Sequence, residues 1–193
     1  MKLIFATHNQ NKTKEIRALM PANIELLSLR DLGFTDEIEE TAGTLSGNAL
    51  LKARHIAGKL ELNVFADDSG LEVEALDGAP GVYSARYAGP EANAENNIQK
   101  LLQELKHVQN RKACFKTIIA LIWNGREYTF EGQIGGHITT QKHGTQGFGY
   151  DPVFKPEGYD LTFAQMELAK KNQISHRALA VNKLVDFLKQ NNG

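Results

Sequence analysis

Residues 113–130 read ACFKTIIALIWNGREYTF, and this stretch decides how the strands of the predicted sheet are arranged. β-Branched and aromatic residues fill both halves of the stretch, and such residues favour strands. Asn124-Gly125 separates the halves, and an Asn-Gly pair between two strand-like runs is the strongest short-range signal for a hairpin. The stretch therefore predicts an antiparallel pair of strands within the sheet.

Outside this hairpin, predicted strands and helices alternate along the chain. Apolar residues recur at helical spacing in several segments, and short apolar runs bounded by polar turns read as strands. Alternating elements with one antiparallel hairpin predict an α/β fold with a mixed sheet. The predicted strands outside the hairpin are residues 2–7, 24–29, 63–66 and 71–76. Four helices are also predicted: one that ends before Pro21, one that begins after an N-cap at Thr44, one around residues 98–105 and one that begins after Ser175.

Length and composition limit the classes of protein that fit. A chain of 193 residues suits a single domain, here residues 1–193. The 22 basic and 23 acidic residues leave a net charge of −1, so neither a nucleic acid nor a membrane surface is expected as a partner. Cys114 is the only cysteine, which excludes an intrachain disulfide and a cysteine-based zinc site. A single cysteine and the lack of a signal peptide lead us to expect a cytoplasmic protein.

The first polar constellation follows the first predicted strand. It reads Thr7-His8-Asn9-Gln10-Asn11-Lys12 and opens a helix, where backbone N–H groups and the helix dipole favour phosphate. Lys12 is disfavoured by the same dipole unless an anion lies nearby. The alternative is a polar turn in which Asn9 or Asn11 caps the helix. The spacing of a Walker loop is absent.

Acidic residues form a second constellation. Asp67-Asp68-Ser69-Gly70 is expected to end a strand, and two adjacent carboxylates are costly to ionise together without a cation, for which Mg²⁺ is suited. The alternative is an Asx turn. The irregular acidic segment of residues 31–43 contains Asp36, Glu37, Glu39 and Glu40, and either of the last two could supply a further metal ligand or simply belong to a solvated charge run.

Two further constellations offer groups that could recognise a purine. Residues 147–152 read GFGYDP: Phe148 and Tyr150 could stack on a base and Asp151 could accept from a ring N–H, or the aromatic side chains could simply close the core. Lys171 and Ser175-His176-Arg177 place cations at a helix start, which predicts an anionic or electron-rich neighbour unless the side chains are exposed.

These residues lie in blocks that resemble the non-canonical purine nucleoside triphosphate pyrophosphatases, also called inosine triphosphate pyrophosphatases. The resemblance extends from the first strand to the last helix. Six or more blocks in the same order make a chance match improbable. The blocks are Thr7-x-Asn9-x-x-Lys12, Glu39-Glu40-Thr41, Asn48-Ala49-x-x-Lys52-Ala53, Ala66-Asp67-Asp68-Ser69-Gly70-Leu71, Gly78-Ala79-Pro80-Gly81-x-Tyr83-Ser84-Ala85-Arg86-Tyr87, residues 147–152 and Ile174-Ser175-His176-Arg177.

The resemblance implies an elongated mixed sheet flanked by helices, with two lobes and a central cleft, in a homodimer that requires Mg²⁺. It implies hydrolysis of ITP, dITP and XTP to the monophosphate and pyrophosphate. Asp68 resembles the metal ligand and proton acceptor, with Glu39 or Glu40 as a second ligand. The expected substrate contacts are Thr7, His8, Asn9, Gln10, Asn11, Lys12, Lys52, Ser69, Phe148, Gly149, Tyr150, Asp151, Lys171, His176 and Arg177.

The sequence departs from the family pattern at a few positions. His8 and Gln146 stand where glycine is usual, and Leu45 and Gly47 replace a phenylalanine and a glutamate. Two other classes of protein remain possible on the residues alone. A nucleotide sensor would bind without turnover, although Asp67 and Asp68 would repel its anionic ligand without a metal. A phosphotransferase would need an acceptor site, for which no motif is present.

Overall fold

The computed structural model describes residues 1–35, 38–60 and 62–191, so Asp36 and Glu37 of the acidic segment lie outside the described residues. Strands and helices alternate, and the predicted α/β class is confirmed. The strands are β1 (Lys2–Phe5), β2 (Glu25–Ser28), β3 (Val64–Val73), β4 (Pro80–Gly81), β5 (Lys112–Trp123), β6 (Arg126–Ile138) and β7 (Phe154–Pro156). The helices are α1 (Gln10–Arg17), α2 (Leu45–Leu60), α3 (Ala94–Glu104), α4 (Leu168–Ile174) and α5 (His176–Asn191).

The sheet is mixed, as predicted. Its strand order is β2-β1-β3-β5-β6-β7, with β4 paired to β3. Strand β1 runs parallel to both β2 and β3, whereas the pairs β3–β4 and β6–β7 are antiparallel. The register of β1 and β3 places Phe5 beside Phe65, and their rings stack with centroids 4.6 Å apart. Stacked aromatic rings of this kind add to the free energy gained by burying the two side chains.

The hairpin predicted from residues 113–130 is confirmed. Strand β5 ends at Trp123 and β6 begins at Arg126, so Asn124 and Gly125 are the whole connection. Both residues have positive φ angles, +48° and +74°, which the favoured two-residue hairpin turn requires and which Asn and Gly tolerate. Strand β6 continues to Ile138, well beyond the predicted end.

The prediction that Asp67 and Asp68 end a strand is wrong. Residues 64–73 form one continuous strand, β3, with both aspartates in its middle and buried. The predicted second strand of this region, residues 71–76, is likewise wrong in its last part, because Glu74–Leu76 form a 3₁₀ turn. Asp and Gly are depleted in strands, so a local reading of the sequence places a turn here.

The described residues divide into two compact units. Unit 1 comprises Met1–Asp68, Thr117–Gly132 and Arg177–Gly193, and unit 2 comprises Ser69–Lys116 and Gln133–His176. Each unit has a hydrophobic core of its own. The unit 1 core joins Leu3, Phe5, Ile16, Phe65, Leu121 and the inward face of α5, and the unit 2 core joins Leu71, Ile98, Leu101, Phe115, Phe154 and Phe163. The central cleft expected between two lobes stays a prediction.

Helices α1, α2 and α3 begin where a capping side chain accepts from an N–H group of the first turn. Thr44 caps α2 as predicted, because its side-chain oxygen accepts from the N–H of Gly47 at 3.0 Å. Helix α5 begins directly after Ser175, and its apolar residues Ala178, Val181, Leu184, Val185 and Leu188 are buried. None of the helices within the described ranges combines the length and the apolar character that a bilayer crossing requires.

Candidate active site

The start of α1 is held by Asn9. Its side-chain oxygen accepts from the N–H groups of Asn11 and Lys12, at 3.0 and 3.1 Å, and its own N–H donates to the Thr7 hydroxyl at 3.2 Å. The predicted cap is therefore present. His8 and Gln10 are exposed beside it. Because Asn9 already engages two N–H groups of the first turn, an incoming phosphate would meet the Lys12 side chain and the exposed residues of this turn.

Asp67 lies between two cations within unit 1. The Lys12 ammonium is 2.9 Å from Oδ1 of Asp67, and Nε of Arg177 is 3.3 Å from Oδ2. Burial by itself would raise the pKa of the Asp67 carboxyl, but Lys12 and Arg177 outweigh burial and hold that pKa well below its usual range. Asp67 is therefore an ionised carboxylate inside the protein, and the anion that Lys12 requires at the helix start is supplied by the chain itself.

Arg177 is a buried residue with two carboxylate partners. Besides its contact with Asp67, its guanidinium lies 2.5 Å from the Glu15 carboxylate, and both side chains are almost fully buried. The alternative of simple surface exposure is wrong for Arg177. The prediction of an anionic neighbour at the start of α5 is confirmed by this geometry, whereas the predicted reading of a base by Arg177 stays a prediction.

Asp68 faces a second group of polar side chains. Asn48 and Lys52 lie one turn apart on α2, and the Asn48 amide donates to Oδ2 of Asp68 at 3.1 Å while the Lys52 ammonium lies 3.8 Å from Oδ1. Lys52 also lies 2.5 Å from the Glu40 carboxylate. Burial raises the pKa of the Asp68 carboxyl, although Lys52 and Lys12 oppose that shift. A carboxylate with a raised pKa is suited to accept a proton.

The oxygen ligands at this place fit a hard divalent cation. Asp68 and Glu40 both approach the Lys52 ammonium, so their carboxylates converge on one positive charge. No group of three or more His, Cys, Asp or Glu side chains able to hold a metal occurs among the described residues. Two carboxylates are nevertheless sufficient for Mg²⁺, which usually takes one or two together with substrate phosphates and water. Glu39 is exposed, and Glu40 is the acidic residue placed beside Asp68.

Gly47 bears on the source of the second carboxylate. A Cβ atom at this position would lie 2.6 Å from Cβ of Ala42 and 3.0 Å from the Thr44 hydroxyl. The side chains of Ala42 and Thr44 therefore leave no room for the glutamate that the family pattern places there. The second acidic group near Asp68 comes from Glu40 instead.

Within unit 2, the predicted base-recognition loop is built around Asp151. Its Oδ2 accepts from the N–H of Phe148 at 2.8 Å and lies 2.5 Å from the Lys171 ammonium. The same ammonium lies 5.2 Å from the centroid of the half-buried Phe148 ring. Phe148, Asp151 and Lys171 are thus brought together, with the half-buried Gly149 between the first two in the chain.

Two residues of the predicted set belong to the unit 2 core. The Tyr150 side chain is buried and its hydroxyl donates to the Ser84 carbonyl at 2.9 Å, which agrees with the alternative that this aromatic residue closes the core. The His176 ring is buried and stacks on Phe115 with centroids 4.5 Å apart. Ser69 is half-buried at the first position of unit 2.

Three residues near the site have contacts that the sequence did not predict. Glu15 was missed, although an acidic residue next to Ile16 on the buried face of a short helix is a recognisable signal for a buried ion pair. Asn48 was quoted as part of a motif only, and Asp67 was considered only as one of two adjacent carboxylates that a metal could neutralise. Their partners, Asp68 for Asn48 and Arg177 for Asp67, are 20 and 110 residues away in the chain, so no local pattern could reveal them.

Comparisons with known proteins show the family of this chain. The profile of the Ham1 family matches residues 3–187, and the chain belongs to that family. The dITP/XTP pyrophosphatase of Porphyromonas gingivalis is 56% identical over 188 residues, 97% of either chain, and that of Flavobacterium johnsoniae is 52% identical over 97% of this chain and 98% of its own. The structure of the Staphylococcus aureus Ham1 protein superposes with a TM-score of 0.89 at 40% identity, covering 98% of this chain and 99% of the other.

Proposed function

We propose that this chain hydrolyses non-canonical purine nucleoside triphosphates, ITP, dITP and XTP, to the nucleoside monophosphate and pyrophosphate, and so removes them from the nucleotide pool. Relatives more than half identical over nearly the whole chain are named dITP/XTP pyrophosphatases. The observation that carries the proposal is that the carboxylates of Asp68 and Glu40 both lie within 4 Å of the Lys52 ammonium, with the Lys12–Asp67 ion pair nearby.

The residues of unit 1 have distinct tasks in this reaction. Water attacks the α-phosphorus, the new P–O bond forms, and the bond from the α-phosphorus to the bridging oxygen breaks to release pyrophosphate. Asp68 accepts the proton of the attacking water, a role suited to a carboxyl whose pKa is raised by burial. Lys12 and Lys52 bind the leaving pyrophosphate, whose negative charge grows as that bond breaks.

Asp68 and Glu40 are the residues that would hold Mg²⁺. When bound, the cation would offset the charge of the phosphate oxygens. Glu40 is preferred to Glu39 because it lies against the same ammonium as Asp68, whereas Glu39 is exposed. Thr7, His8, Asn9, Gln10 and Asn11 would contact the triphosphate at the start of α1.

Recognition of the base is assigned to residues of the glycine-containing loop and α4, with the start of α5. Phe148 offers a half-buried aromatic ring, and Lys171 offers a donor beside it. A donor can bond the 6-oxo group of hypoxanthine or xanthine, whereas the 6-amino group of adenine has no acceptor there. Sites that leave a buried polar group unpaired with the wrong base can discriminate by about 10⁴-fold. Ser69, Gly149 and Arg177 are proposed to complete the substrate contacts, whereas the buried side chains of Tyr150 and His176 support the loop and the start of α5 from the core.

The proposal is tested by measuring pyrophosphate release from ITP and ATP with and without Mg²⁺. We expect rapid release from ITP, slow release from ATP and little release from either after chelation. Binding of ITP without any release would favour a nucleotide sensor. Release that requires an added acceptor alcohol would favour a phosphotransferase. Full activity after chelation would exclude the role proposed for Mg²⁺.

We also propose that the protein is a homodimer and acts in the cytoplasm. Dimerisation is supported by the family resemblance alone, and sedimentation velocity tests it, since a dimer has twice the mass of the chain. The cytoplasmic location is supported by the nature of the proposed substrates, and immunolocalisation or fractionation tests it.

A further inference from the structure

One carboxylate oxygen in unit 2 joins three parts of the predicted base-recognition loop. Oδ2 of Asp151 accepts from the N–H of Phe148 and lies 2.5 Å from the Lys171 ammonium on α4. The side chains of Asp151 and Lys171 are 4% and 3% exposed. A buried ion pair contributes little net stability, because the removal of both charges from water offsets most of their attraction. Such a pair is better explained by the geometry that it enforces.

The absence of a side chain at Gly147 leaves room for Oδ2 of Asp151. A Cβ atom built on Gly147 would lie 2.0 Å from Oδ2 of Asp151 and 2.9 Å from its Cγ. Real side chains do not approach so closely, so any other residue at position 147 would displace the carboxylate. The φ angle of Gly147 is also positive, +72°, which adds strain for any L-residue.

The carboxylate controls the Phe148 ring by two routes. It fixes the backbone of Phe148 directly, and it holds the Lys171 ammonium 5.2 Å from the centroid of the Phe148 ring. The ammonium also lies 5.3 Å from the ring of Phe163, a fully buried residue of the unit 2 core. The loop is thereby tied to the core through one lysine, with an attraction between cation and ring on both sides.

We propose that Asp151 is a positioning residue for base recognition, seated against Gly147, and that it sets the Phe148 ring and the Lys171 ammonium in the arrangement that binds a 6-oxopurine. This inference rests on the proposed function. It differs from the sequence expectation that Asp151 accepts from the base, because Asp151 acts here through Phe148 and Lys171. An ordered ring and donor reduce the entropy lost when the base binds.

The test is a double-mutant cycle on Gly147→Ala and Asp151→Ala, read as KM and kcat for ITP and ATP and as melting temperature. Gly158→Ala is the matched control, because Gly158 has φ of +79° and nothing within 4 Å of its added Cβ. It carries the same backbone strain without a clash, and it lies outside the site. Asp151→Asn is the conservative variant, which keeps an acceptor for the Phe148 N–H but loses the charge.

We expect Gly147→Ala and Asp151→Ala each to raise KM for ITP by about ten- to a hundredfold, the range for losing one charge-assisted hydrogen bond. The kcat for ITP should change little, since the phosphate-handling residues belong to unit 1. The double variant should be no worse than Asp151→Ala, and Asp151→Asn should lie between that variant and the wild type. The KM for ATP should rise less than the KM for ITP, because ATP gains least from the arrangement of Phe148 and Lys171.

Several results would overturn the proposal. They are additive losses in the double variant, a Gly147→Ala protein that behaves like Gly158→Ala, equal losses for ITP and ATP, and a wild-type KM in Asp151→Asn. If the wild-type protein releases no pyrophosphate from ITP, the proposed function fails. The contact between Gly147 and Asp151 is then judged by the melting temperatures, which require no substrate. Non-additive changes in melting temperature for Gly147→Ala and Asp151→Ala support the contact, and additive changes refute it.

Discussion

Lys12 and Asp67 are 55 residues apart in the chain, and the ammonium of the first lies 2.9 Å from the carboxylate of the second. Burial lowers the pKa of Lys12, although Asp67 opposes that shift. A cation at the start of a helix is thus balanced by the protein before any phosphate arrives. The triphosphate has to compete with Asp67 for the charge of Lys12 or share it. Triphosphate binding should therefore be sensitive to substitution of either Lys12 or Asp67.

Asp68→Asn is expected to lower ITP turnover by roughly 10²- to 10⁴-fold, the range for removal of a general base. Asparagine can still accept from Asn48, so the fold should be retained. Because burial raises the pKa of the Asp68 carboxyl, its ionised form opposes folding, and the metal-free variant should melt at the wild-type temperature or above. Steady-state rates and a thermal melt test this. A folded variant with near-normal turnover would contradict the role given to Asp68.

Lys12→Ala should reduce kcat/KM for ITP and GTP by a similar factor, about ten- to a hundredfold, because the lost group contacts phosphate that both nucleotides share. The ratio of kcat/KM for ITP to kcat/KM for GTP should stay constant. Lys14→Ala is the control, since Lys14 is exposed on the same helix. A changed ratio with unchanged ITP efficiency would assign Lys12 to base recognition instead.

Arg177→Ala is expected to destabilise the protein by about 3–5 kcal/mol, because it leaves Glu15 and Asp67 buried without their shared cation. Arg177→Lys should recover only part of this, since an ammonium cannot reproduce the guanidinium fork. Urea unfolding measures the loss. In assays of the folded variant, a greater loss for ITP than for ATP would support base reading, and equal proportional losses would leave only the structural role.

Asp31→Asn tests the pH dependence of stability. Oδ2 of Asp31 accepts from the Ser28 N–H and hydroxyl, both at 2.8 Å, and these bonds lower the pKa of the carboxyl from its ordinary value. A carboxyl with a lowered folded pKa stabilises the fold above its unfolded pKa, and this contribution is lost as the pH falls through the folded value. Because solvent screens this exposed carboxylate, the variant should be only about 0.5 kcal/mol less stable at pH 7, with a difference that shrinks below pH ~4.

Unfolding curves of Asp31→Asn and the wild type at several pH values check this trend. Asp160→Asn, at an exposed carboxylate, is the control and should show little difference at any pH. A gap between wild type and Asp31→Asn that persists unchanged at low pH would show that the Ser28 contacts do not depend on the charge.

Local signals in the sequence were sufficient for several parts of the fold. Asn124-Gly125 defined the hairpin, and the Thr44 cap and apolar spacing defined α2, whose Asn48 and Lys52 both approach Asp68. These features depend on neighbours within a few residues, and turn chemistry and helical period are local properties.

Strand β3 could not be predicted in the same way. Asp67-Asp68-Ser69-Gly70 has the composition of a turn, yet it continues a buried strand because Lys12, Lys52 and Arg177 neutralise its carboxylates from distant parts of the chain. For the start of α5 the sequence predicted an anionic or electron-rich neighbour but not which one, because Glu15, Asp67 and the Phe115 ring come from distant parts of the chain.

The division of the chain between the two units determines what a C-terminal truncation removes. Unit 2 is built from residues 69–116 and 133–176, whereas unit 1 also needs helix α5. A chain cut after His176 would keep every residue of the unit 2 core and lose the apolar face of α5 from the unit 1 core. Protease protection of such a chain should therefore be retained in unit 2 and lost in unit 1. The cut also removes Arg177, which leaves Asp67 with Lys12 alone of its two cations.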